Sequence, residues 1–242
     1  MRILNLGCGR KLSPHPDILN VDWTPYLRAR RNAPARFLAT VILSGQRREF
    51  FRSIPDNVLA RDLRKGLPFE AGSVDAVYHS HVLEHLDRDA VPGFLREIAR
   101  VLRPGGIQRI VVPDLEGIVR DYLDDLARCE QDATARAQHD TFVDVLLEQS
   151  VRRKSAATRG MGRIKAATYT LLFGDARKRG ETHQWMYDRF NLAELLRSSG
   201  LQELTVRDCW SSGIPNWPEY GLDVDETGAQ YKPGSLYLEA RK

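Results

Sequence analysis

The first nine residues place the strongest constraint on what this chain can fold into. Residues 2–6 are an apolar run typical of a short buried strand, and Gly7-Cys8-Gly9 follows as the turn that ends it. Glycines accept positive φ and carry no side chain, so a ligand can approach the main-chain N–H groups there. Asp22 comes thirteen residues after Gly9, at the end of a second strand-like run. In nucleotide-binding α/β sheets, an acid at this point accepts hydrogen bonds from ribose hydroxyls.

The spacing around these glycines differs from the two common phosphate-binding loops. Leu12 occupies the third glycine position of G-x-G-x-x-G, and no G-K-[ST] follows. Pro14 and Pro16 leave no room for a helix between the first two strands. A dinucleotide needs the N-terminus of that helix for its pyrophosphate. The pattern therefore favours a nucleoside ligand without phosphate, and an ordinary strand-turn of the core is the alternative while the motif is taken alone.

Composition indicates a globular protein of ordinary polarity. Of its 242 residues, 42% are hydrophobic and 28% are charged, which suits one α/β domain with insertions. The longest apolar run, residues 37–43, is too short to span a membrane. Three widely spaced cysteines form neither a disulfide framework nor a zinc set. With no signal peptide ahead of the first strand, we expect a cytoplasmic protein.

Basic charge is concentrated in two segments that look like insertions. The overall net charge is +4, yet residues 27–53 carry seven arginines against one acid, and residues 151–180 carry nine Lys or Arg against one acid. We expect these two segments to contact an anionic partner or a membrane surface. A solvated helix face is the plainer alternative. We do not expect binding to nucleic acid.

Strand and helix patterns alternate along the chain, which predicts an open, mostly parallel sheet. The helix at about 88–102 should be capped by Asp87 or Asp89, and the helix at 190–199 by a capping box of Asn191 and Glu194. In such sheets ligands bind beyond the carboxyl ends of the strands. The predicted strands are residues 2–6, 18–22, 58–62, 74–78, 107–112, 204–209 and 235–240.

Six ordered motifs resemble those of class I S-adenosylmethionine-dependent methyltransferases. They are Leu4-Asn5-Leu6-Gly7-Cys8-Gly9, Asn20-Val21-Asp22, Leu67-Pro68-Phe69, Ser73-Val74-Asp75, Val82-Leu83-Glu84-His85 and Arg100-Val101-Leu102-Arg103-Pro104-Gly105-Gly106. The chain is most similar to small predicted methyltransferases of the type 11 group, often associated with bacterial surface polysaccharide synthesis. The resemblance implies a Rossmann-like α/β fold whose mostly parallel seven-stranded sheet has an antiparallel last strand. It also implies one domain over residues 1–242, with helical insertions at about 24–57 and 130–180.

The resemblance also implies a cofactor, S-adenosylmethionine, with S-adenosylhomocysteine as its product. The turn backbone would approach the methionine moiety, and Asp22 would hold the ribose hydroxyls. Trp23 would cover the adenine face, and Asp62 with Leu63 would receive the adenine amino group. His79 would lie near the methionine end. The cofactor-binding residues predicted in this way are Gly7, Cys8, Gly9, Asp22, Trp23, Asp62, Leu63 and His79.

Three residues are candidates for a catalytic base toward a hydroxyl acceptor. His183 and His81 are the leading candidates, because neutral imidazole suits this role near pH 7, and Asp114 is a weaker one. For each histidine, a capping or packing role is the alternative. His81 and His85 are spaced i, i+4 as for a metal on a helix, but no third ligand follows at a sensible spacing, so we predict no metal.

The expected acceptor is a small molecule or glycan precursor methylated on oxygen. The strand-four segment reads Tyr78-His79-Ser80-His81 and lacks the [DN]-P-P-[YF] motif of enzymes that methylate exocyclic amines of bases. Trp210, Trp217 and Tyr220 would form a wall for stacking a sugar, or else a packed lid. An RNA methyltransferase and a cofactor-binding protein without chemistry remain as alternatives. A nucleotide-sugar oxidoreductase would need a third glycine and a Tyr-x-x-x-Lys pair, neither of which is found.

Overall fold

The computed structural model describes residues 1–150 and 183–242, and all structural statements here concern those residues. Strands and helices alternate through most of this part of the chain. The strands are β1 (Ile3–Leu6), β2 (Ile18–Asp22), β3 (Val58–Ala60), β4 (Val74–Ser80), β5 (Leu102–Pro113), β6 (Gln202–Arg207) and β7 (Ser235–Arg241). The helices are α1 (Pro25–Arg31), α2 (Ala33–Ile42), α3 (Gly45–Ser53), α4 (Val91–Val101), α5 (Leu115–Gln131), α6 (Ala133–Ser150) and α7 (Arg189–Ser198).

The seven strands form one sheet in the order β3-β2-β1-β4-β5-β7-β6. The pairs from β3 to β5 are parallel, and β7 runs antiparallel between β5 and β6. The predicted α/β fold with a mostly parallel seven-stranded sheet and an antiparallel last strand is therefore confirmed. The chain reverses its strand order between β1 and β4, and in open sheets this is the point where ligands bind. No helix occupies the connection from β1 to β2, as its prolines predicted.

The two faces of the sheet are covered in different ways. Helices α4 and α7 cover one face, where Leu95, Ile98 and Leu196 are fully buried among leucines and valines of the strands. The irregular segment 208–234 covers the other face, and its Trp217 and Tyr220 pack against Tyr78 and Ile3. These two aromatic side chains are 2% and 5% exposed. The packed lid is therefore the correct alternative for Trp217 and Tyr220, and the wall for stacking a sugar is wrong for these two, whereas Trp210 is 57% exposed.

The first insertion forms three short helices, α1 to α3. Thr24 caps α1 and Asn32 caps α2, and each of these two helices has a proline in its first turn, where its missing N–H costs nothing. Leu27, Phe51 and Ile54 pack with Cys8 of the glycine turn in a separate small core. The insertion is thereby anchored beside the turn. Most of the second insertion, and all of the basic segment 151–180, lies outside the described residues.

Several predicted boundaries differ from the structure. Helix α4 starts at Val91 after Ala90, and neither Asp87 nor Asp89 caps it. The capping box of α7 is formed by Asp188 and Asn191, one turn earlier than predicted, because Asp188 accepts hydrogen bonds from the N–H groups of residues 190 and 191. Strand β5 begins at Leu102, since the residues of the Pro-Gly-Gly turn pair with the sheet. In the described part of the chain, no helix is long and apolar enough to cross a membrane.

Candidate active site

The glycine turn lies against the segment that follows β4. Gly7 has φ of 63° and Gly9 has φ of 51°, so both require the left-handed conformation that glycine adopts without strain. A Cβ built on Gly7 would lie 2.4 Å from Cγ2 of Val82. The turn backbone and the residues after β4 are therefore in direct contact. This contact brings together the two parts of the chain predicted to hold the cofactor and the catalytic base.

Asp22 ends β2 beside the turn, as predicted. Its Oδ2 accepts a hydrogen bond of 2.7 Å from the Gly9 N–H, and its Oδ1 accepts one of 2.5 Å from the Trp23 N–H. Burial raises the pKa of Asp22, and the backbone N–H groups partly offset this rise. A carboxylate has about four lone-pair sites, and three backbone N–H groups, those of Gly9, Trp23 and Thr24, act on this one, which leaves one for a ribose hydroxyl. Burial also raises the pKa of the Cys8 thiol, so Cys8 is a packing residue whose backbone alone belongs to the turn.

The predicted adenine contacts are partly engaged by arginines. Trp23 is 45% exposed, and the guanidinium of Arg28 lies 4.6 Å from its ring centroid. Asp62 begins the 3-10 turn Leu63–Lys65 and binds Arg64 through both carboxylate oxygens at 2.9 Å. The bond with Arg64 holds the pKa of Asp62 below its usual range. Both residues lie at the carboxyl-end edge of the sheet, and their role toward adenine stays a prediction.

His79 lies at the end of β4 but faces inward. Its ring is fully buried against Phe94 of α4, and Nε2 is 3.2 Å from the side-chain amide of Gln108. Burial lowers the pKa of His79 to about 4, so the ring is neutral at pH 7. Only the backbone of His79 faces the predicted cofactor site. Its side chain packs the helix-covered face of the sheet.

His81 lies between Glu84 and Ser235, with an ion-pair contact to the Glu84 carboxylate and a hydrogen bond with the Ser235 hydroxyl. Its Nδ1 lies 3.0 Å from Oε1 of Glu84, and its Nε2 lies 2.9 Å from Oγ of Ser235. The backbone of His81 has φ of 53°, a conformation that is uncommon outside glycine and is often found at functional sites. Burial alone would raise the pKa of Glu84, but its contacts with His81 and His85 hold it below the usual value. Glu84 is therefore a carboxylate at pH 7 and orients the His81 ring.

His183 joins this group from the far end of the chain. The N–H of Gln184 donates a hydrogen bond of 2.6 Å to the carbonyl of Glu84, which fixes the start of the segment 183–188 beside the turn after β4. The His183 ring packs edge-on against His85, with their centroids 4.9 Å apart. Sequence reasoning selected His81 and His183 separately. It missed Glu84, whose position between the three histidines becomes visible only in the fold.

Asp114 follows β5 and caps helix α5. Its Oδ1 accepts a hydrogen bond of 3.1 Å from the Glu116 N–H, and its own N–H donates one of 3.1 Å to the Gly234 carbonyl. Its side chain is thus engaged at the helix terminus. This position favours the capping role for Asp114 over that of a base. Its catalytic role was the weaker prediction, and nothing in the described geometry adds to it.

A second cluster of buried charges consists of Arg109, Asp223 and Glu239. Arg109 of β5 is fully buried, and its guanidinium binds Asp223 at 2.7 Å and Glu239 at 2.8 Å. Trp217 donates from Nε1 to Asp223 at 2.8 Å. This network attaches segment 208–234 to the sheet. Within segment 208–234, Asp223 binds Arg109, and Asp225 closes a local turn with Thr227.

In the comparison with known proteins, residues 4–110 match the model of a family described as a methyltransferase domain. No curated protein matches the chain. Three solved structures illustrate the likeness in fold. The first is a putative O-methyltransferase from Nostoc punctiforme, at 13% identity and a TM-score of 0.46, covering all of this chain and 51% of that one. This chain therefore spans about half the length of that relative.

The second structure, a possible histamine N-methyltransferase from Thermotoga maritima, has 14% identity and a TM-score of 0.45, covering all of this chain and 82% of that one. The third is 1,6-didemethyltoxoflavin-N1-methyltransferase from Burkholderia thailandensis, solved with S-adenosylhomocysteine. It has 18% identity and a TM-score of 0.42, covering 99% of this chain and 70% of that one. The domain match spans β1 to the middle of β5 and contains the glycine turn, Asp22, Asp62 and the turn after β4.

Proposed function

We propose that this protein is a class I methyltransferase that uses S-adenosylmethionine and transfers its methyl group to a hydroxyl of a sugar or glycan precursor. His81 is the general base in this proposal. The observation that carries it is the row Glu84–His81–Ser235, with contacts of 3.0 and 2.9 Å. A buried carboxylate on one ring nitrogen leaves the other nitrogen as the proton acceptor, as in other carboxylate–histidine pairs.

For methyl transfer to a hydroxyl, the protein mainly has to align the reacting atoms and remove the hydroxyl proton. The sulfonium is already activated, so holding nucleophile, methyl carbon and sulfur in line supplies about 7–11 kcal/mol of the barrier reduction. Removal of the hydroxyl proton by a positioned base adds about 10²–10⁴ in rate. The Ser235 hydroxyl now contacts Nε2 of His81 and marks where an acceptor hydroxyl would lie. In the proposal, the acceptor replaces this contact and passes its proton to Nε2.

Transfer from labelled S-adenosylmethionine to a panel of nucleotide-sugars and oligosaccharides tests this function. We expect label in a sugar hydroxyl, and a loss of about 10²–10⁴ in kcat for His81→Asn and Glu84→Gln with cofactor affinity retained. His139→Asn, on α6 away from the site, serves as the matched control and should keep full activity. Label in RNA instead of sugar would support the RNA methyltransferase alternative. Equal rates for all variants would contradict His81 as the base.

The first insertion provides a second proposed contact, with an anionic membrane surface that carries the acceptor. Helix α2 buries none of its side chains and exposes Phe37, Leu38, Val41 and Ile42. Arg30, Arg31 and Arg36 line an adjoining cavity of about 610 Å³. An apolar helix face with a basic border suits the interface of an anionic bilayer. This cavity reaches Leu19 and Val58 near the starts of β2 and β3, away from the carboxyl-end edge, so it lies outside the proposed reaction site.

Sedimentation with lipid vesicles tests the membrane contact. We expect binding to vesicles containing phosphatidylglycerol but not to pure phosphatidylcholine vesicles, and a loss of binding at high salt. The double variant Phe37→Ser/Ile42→Ser should reduce the bound fraction. Its matched control is Val119→Ser/Leu123→Ser, which removes two exposed apolar side chains from α5. Equal loss in both double variants, or equal binding to both lipids, would contradict this contact.

A further inference from the structure

Three potential metal ligands lie close together after β4, two of them adjacent in the sequence and the third from a distant part of the chain. Glu84 and His85 are neighbours in the 3-10 turn Leu83–His85, and His183 approaches them across the gap in the described chain. One ligand atom from each residue lies within 4.8 Å of the others. Nε2 of His85 is 3.9 Å from Oε1 of Glu84. The i, i+4 pair His81 and His85 is therefore not the metal pair that its spacing suggested, and the third ligand, His183, lies 98 residues after His85 in the sequence.

Glu84 is the residue that most needs a cation. Its side chain has no exposed surface, and among the described residues no lysine or arginine forms an ion pair with it. Its oxygens also accept no hydrogen bond of good geometry from those residues, although His81 lies at 3.0 Å. A carboxylate removed from water in this way is costly unless a positive charge balances it. His81 and His85 both approach Oε1, and Oε2 accepts no hydrogen bond from the described residues.

The donor set selects the class of ion. Two imidazoles and one carboxylate bind divalent transition metals such as Zn²⁺, Mn²⁺ and Fe²⁺, whereas Mg²⁺ and Ca²⁺ prefer sites built from oxygen alone. In a tetrahedral zinc site with bonds of about 2.0–2.2 Å, the ligand atoms lie roughly 3.3–3.5 Å apart. The three side chains therefore need to close by about 1 Å.

We propose that Glu84, His85 and His183 bind a divalent transition-metal ion of the zinc or manganese class. His81 holds the Glu84 carboxylate from behind, the arrangement by which ligating carboxylates are oriented in metal proteins. Three protein ligands leave one coordination position open. A hydroxyl bound there would have its pKa lowered by the ion. That role rests on the proposed function, whereas metal binding itself does not.

A second group of potential metal ligands, one Asp, one Cys and one His, can be compared with the first. Asp125, Cys129 and His139 also place ligand atoms within 4.8 Å, where α5 meets α6. The Asp125 carboxylate there already pairs with Arg128 at 2.8 Å and contacts His139 at 2.7 Å. An arginine in direct contact disfavours a cation at the same carboxylate. We expect this group to bind metal ions much more weakly than the group of Glu84, His85 and His183.

Titration of the chelator-stripped full chain with Co²⁺ and Zn²⁺, without cofactor or acceptor, tests the site. We expect about one ion per chain, a visible ligand-field absorption with Co²⁺, and a higher Tm with Zn²⁺. His183→Asn and His85→Asn should each weaken metal binding on the order of 100-fold or more. Replacing even a residue that only hydrogen-bonds to a metal ligand lowers metal affinity by about 10–100-fold. His139→Asn, which interrupts the comparison group, should bind as the wild type does.

Two outcomes would overturn this site: no binding of Co²⁺ or Zn²⁺ to the wild type, or binding lost in His139→Asn and retained in His183→Asn. Glu84→Gln keeps the shape of the side chain and should also lose the Co²⁺ absorption. If circular dichroism shows that the Glu84→Gln variant is unfolded, metal binding by His183→Asn and His85→Asn is the test of the site. Because no cofactor is present, failure of methyl transfer does not affect this measurement.

Discussion

The backbone N–H of Gly9 donates a 2.7 Å hydrogen bond to Oδ2 of Asp22, and this bond ties the end of β1 to the end of β2. Although no helix connects these two strands, this bond fixes the position of the glycine turn relative to the Asp22 carboxylate. The carboxylate is positioned by the same turn that brings the ligand close to the backbone. The glycine turn and the acid are therefore one structural unit, and a change in either should affect the other.

Replacement of Gly7 should disrupt the turn more than replacement of Gly9. Both need positive φ, which costs an L-residue about 1–2 kcal/mol. Alanine at Gly7 would also place its Cβ 2.4 Å from Val82, adding about 1–3 kcal/mol of overpacking, whereas at Gly9 the nearest atom is 4.0 Å away. We expect Gly7→Ala to lower the free energy of unfolding in urea by about 2–5 kcal/mol and Gly9→Ala by about 1–2 kcal/mol. Equal losses would show that the Val82 contact is not tight.

Arg109 should be among the most sensitive positions for stability. Arg109→Met leaves Asp223 and Glu239 buried without their cation, and breaking a buried pair in this way costs about 3–5 kcal/mol. Arg103→Met is the matched control, because the Arg103 side chain is 50% exposed and binds Asp75 at the surface. It should cost less than about 1 kcal/mol. Urea unfolding of both variants at pH 7 checks this, and similar losses in the two would contradict the assigned role of Arg109.

His79 should make the fold less stable in acid. Burial lowers its pKa to about 4 in the folded protein, against about 6.5 when unfolded. As the pH falls below about 6.5, the unfolded chain takes up a proton that the folded chain refuses, so stability is lost down to about pH 4. The loss attributable to His79 between pH 7 and pH 5 is about 2 kcal/mol. Urea unfolding of wild type and His79→Asn at both pH values measures it, and identical pH dependence would refute a buried neutral His79.

Much of the fold was predictable because it depends on local patterns. The seven strands and the polar residues at their carboxyl ends follow from short apolar runs ending in Gly, Asp or His. Boundaries were less accurate where local signals compete. Asp87 and Asp89 both resemble caps, yet α4 starts after Ala90, and Asp188 rather than Asn191 begins the capping box of α7.

The candidate site was only partly predictable because its members come from distant segments. Glu84 lies in a motif noted only for its resemblance, and nothing in its neighbours indicates that it is fully buried between histidines. Its relation to His183 depends on the bond from the Gln184 N–H to the Glu84 carbonyl, across almost 100 residues. Likewise, the side chain of His79 turned inward because alternation along β4 places it on the face covered by α4.

In the proposed function, the edge formed by the glycine turn and Asp22 binds S-adenosylmethionine. Calorimetric titration with S-adenosylhomocysteine tests this most directly, with NAD as the competing ligand and Asp22→Ala as the variant. Asp56→Ala, which removes an exposed acid from the loop before β3, is the control. We expect micromolar binding that is lost in Asp22→Ala and kept in Asp56→Ala, with no heat from NAD. Absence of S-adenosylhomocysteine binding, or a preference for NAD, would contradict the account.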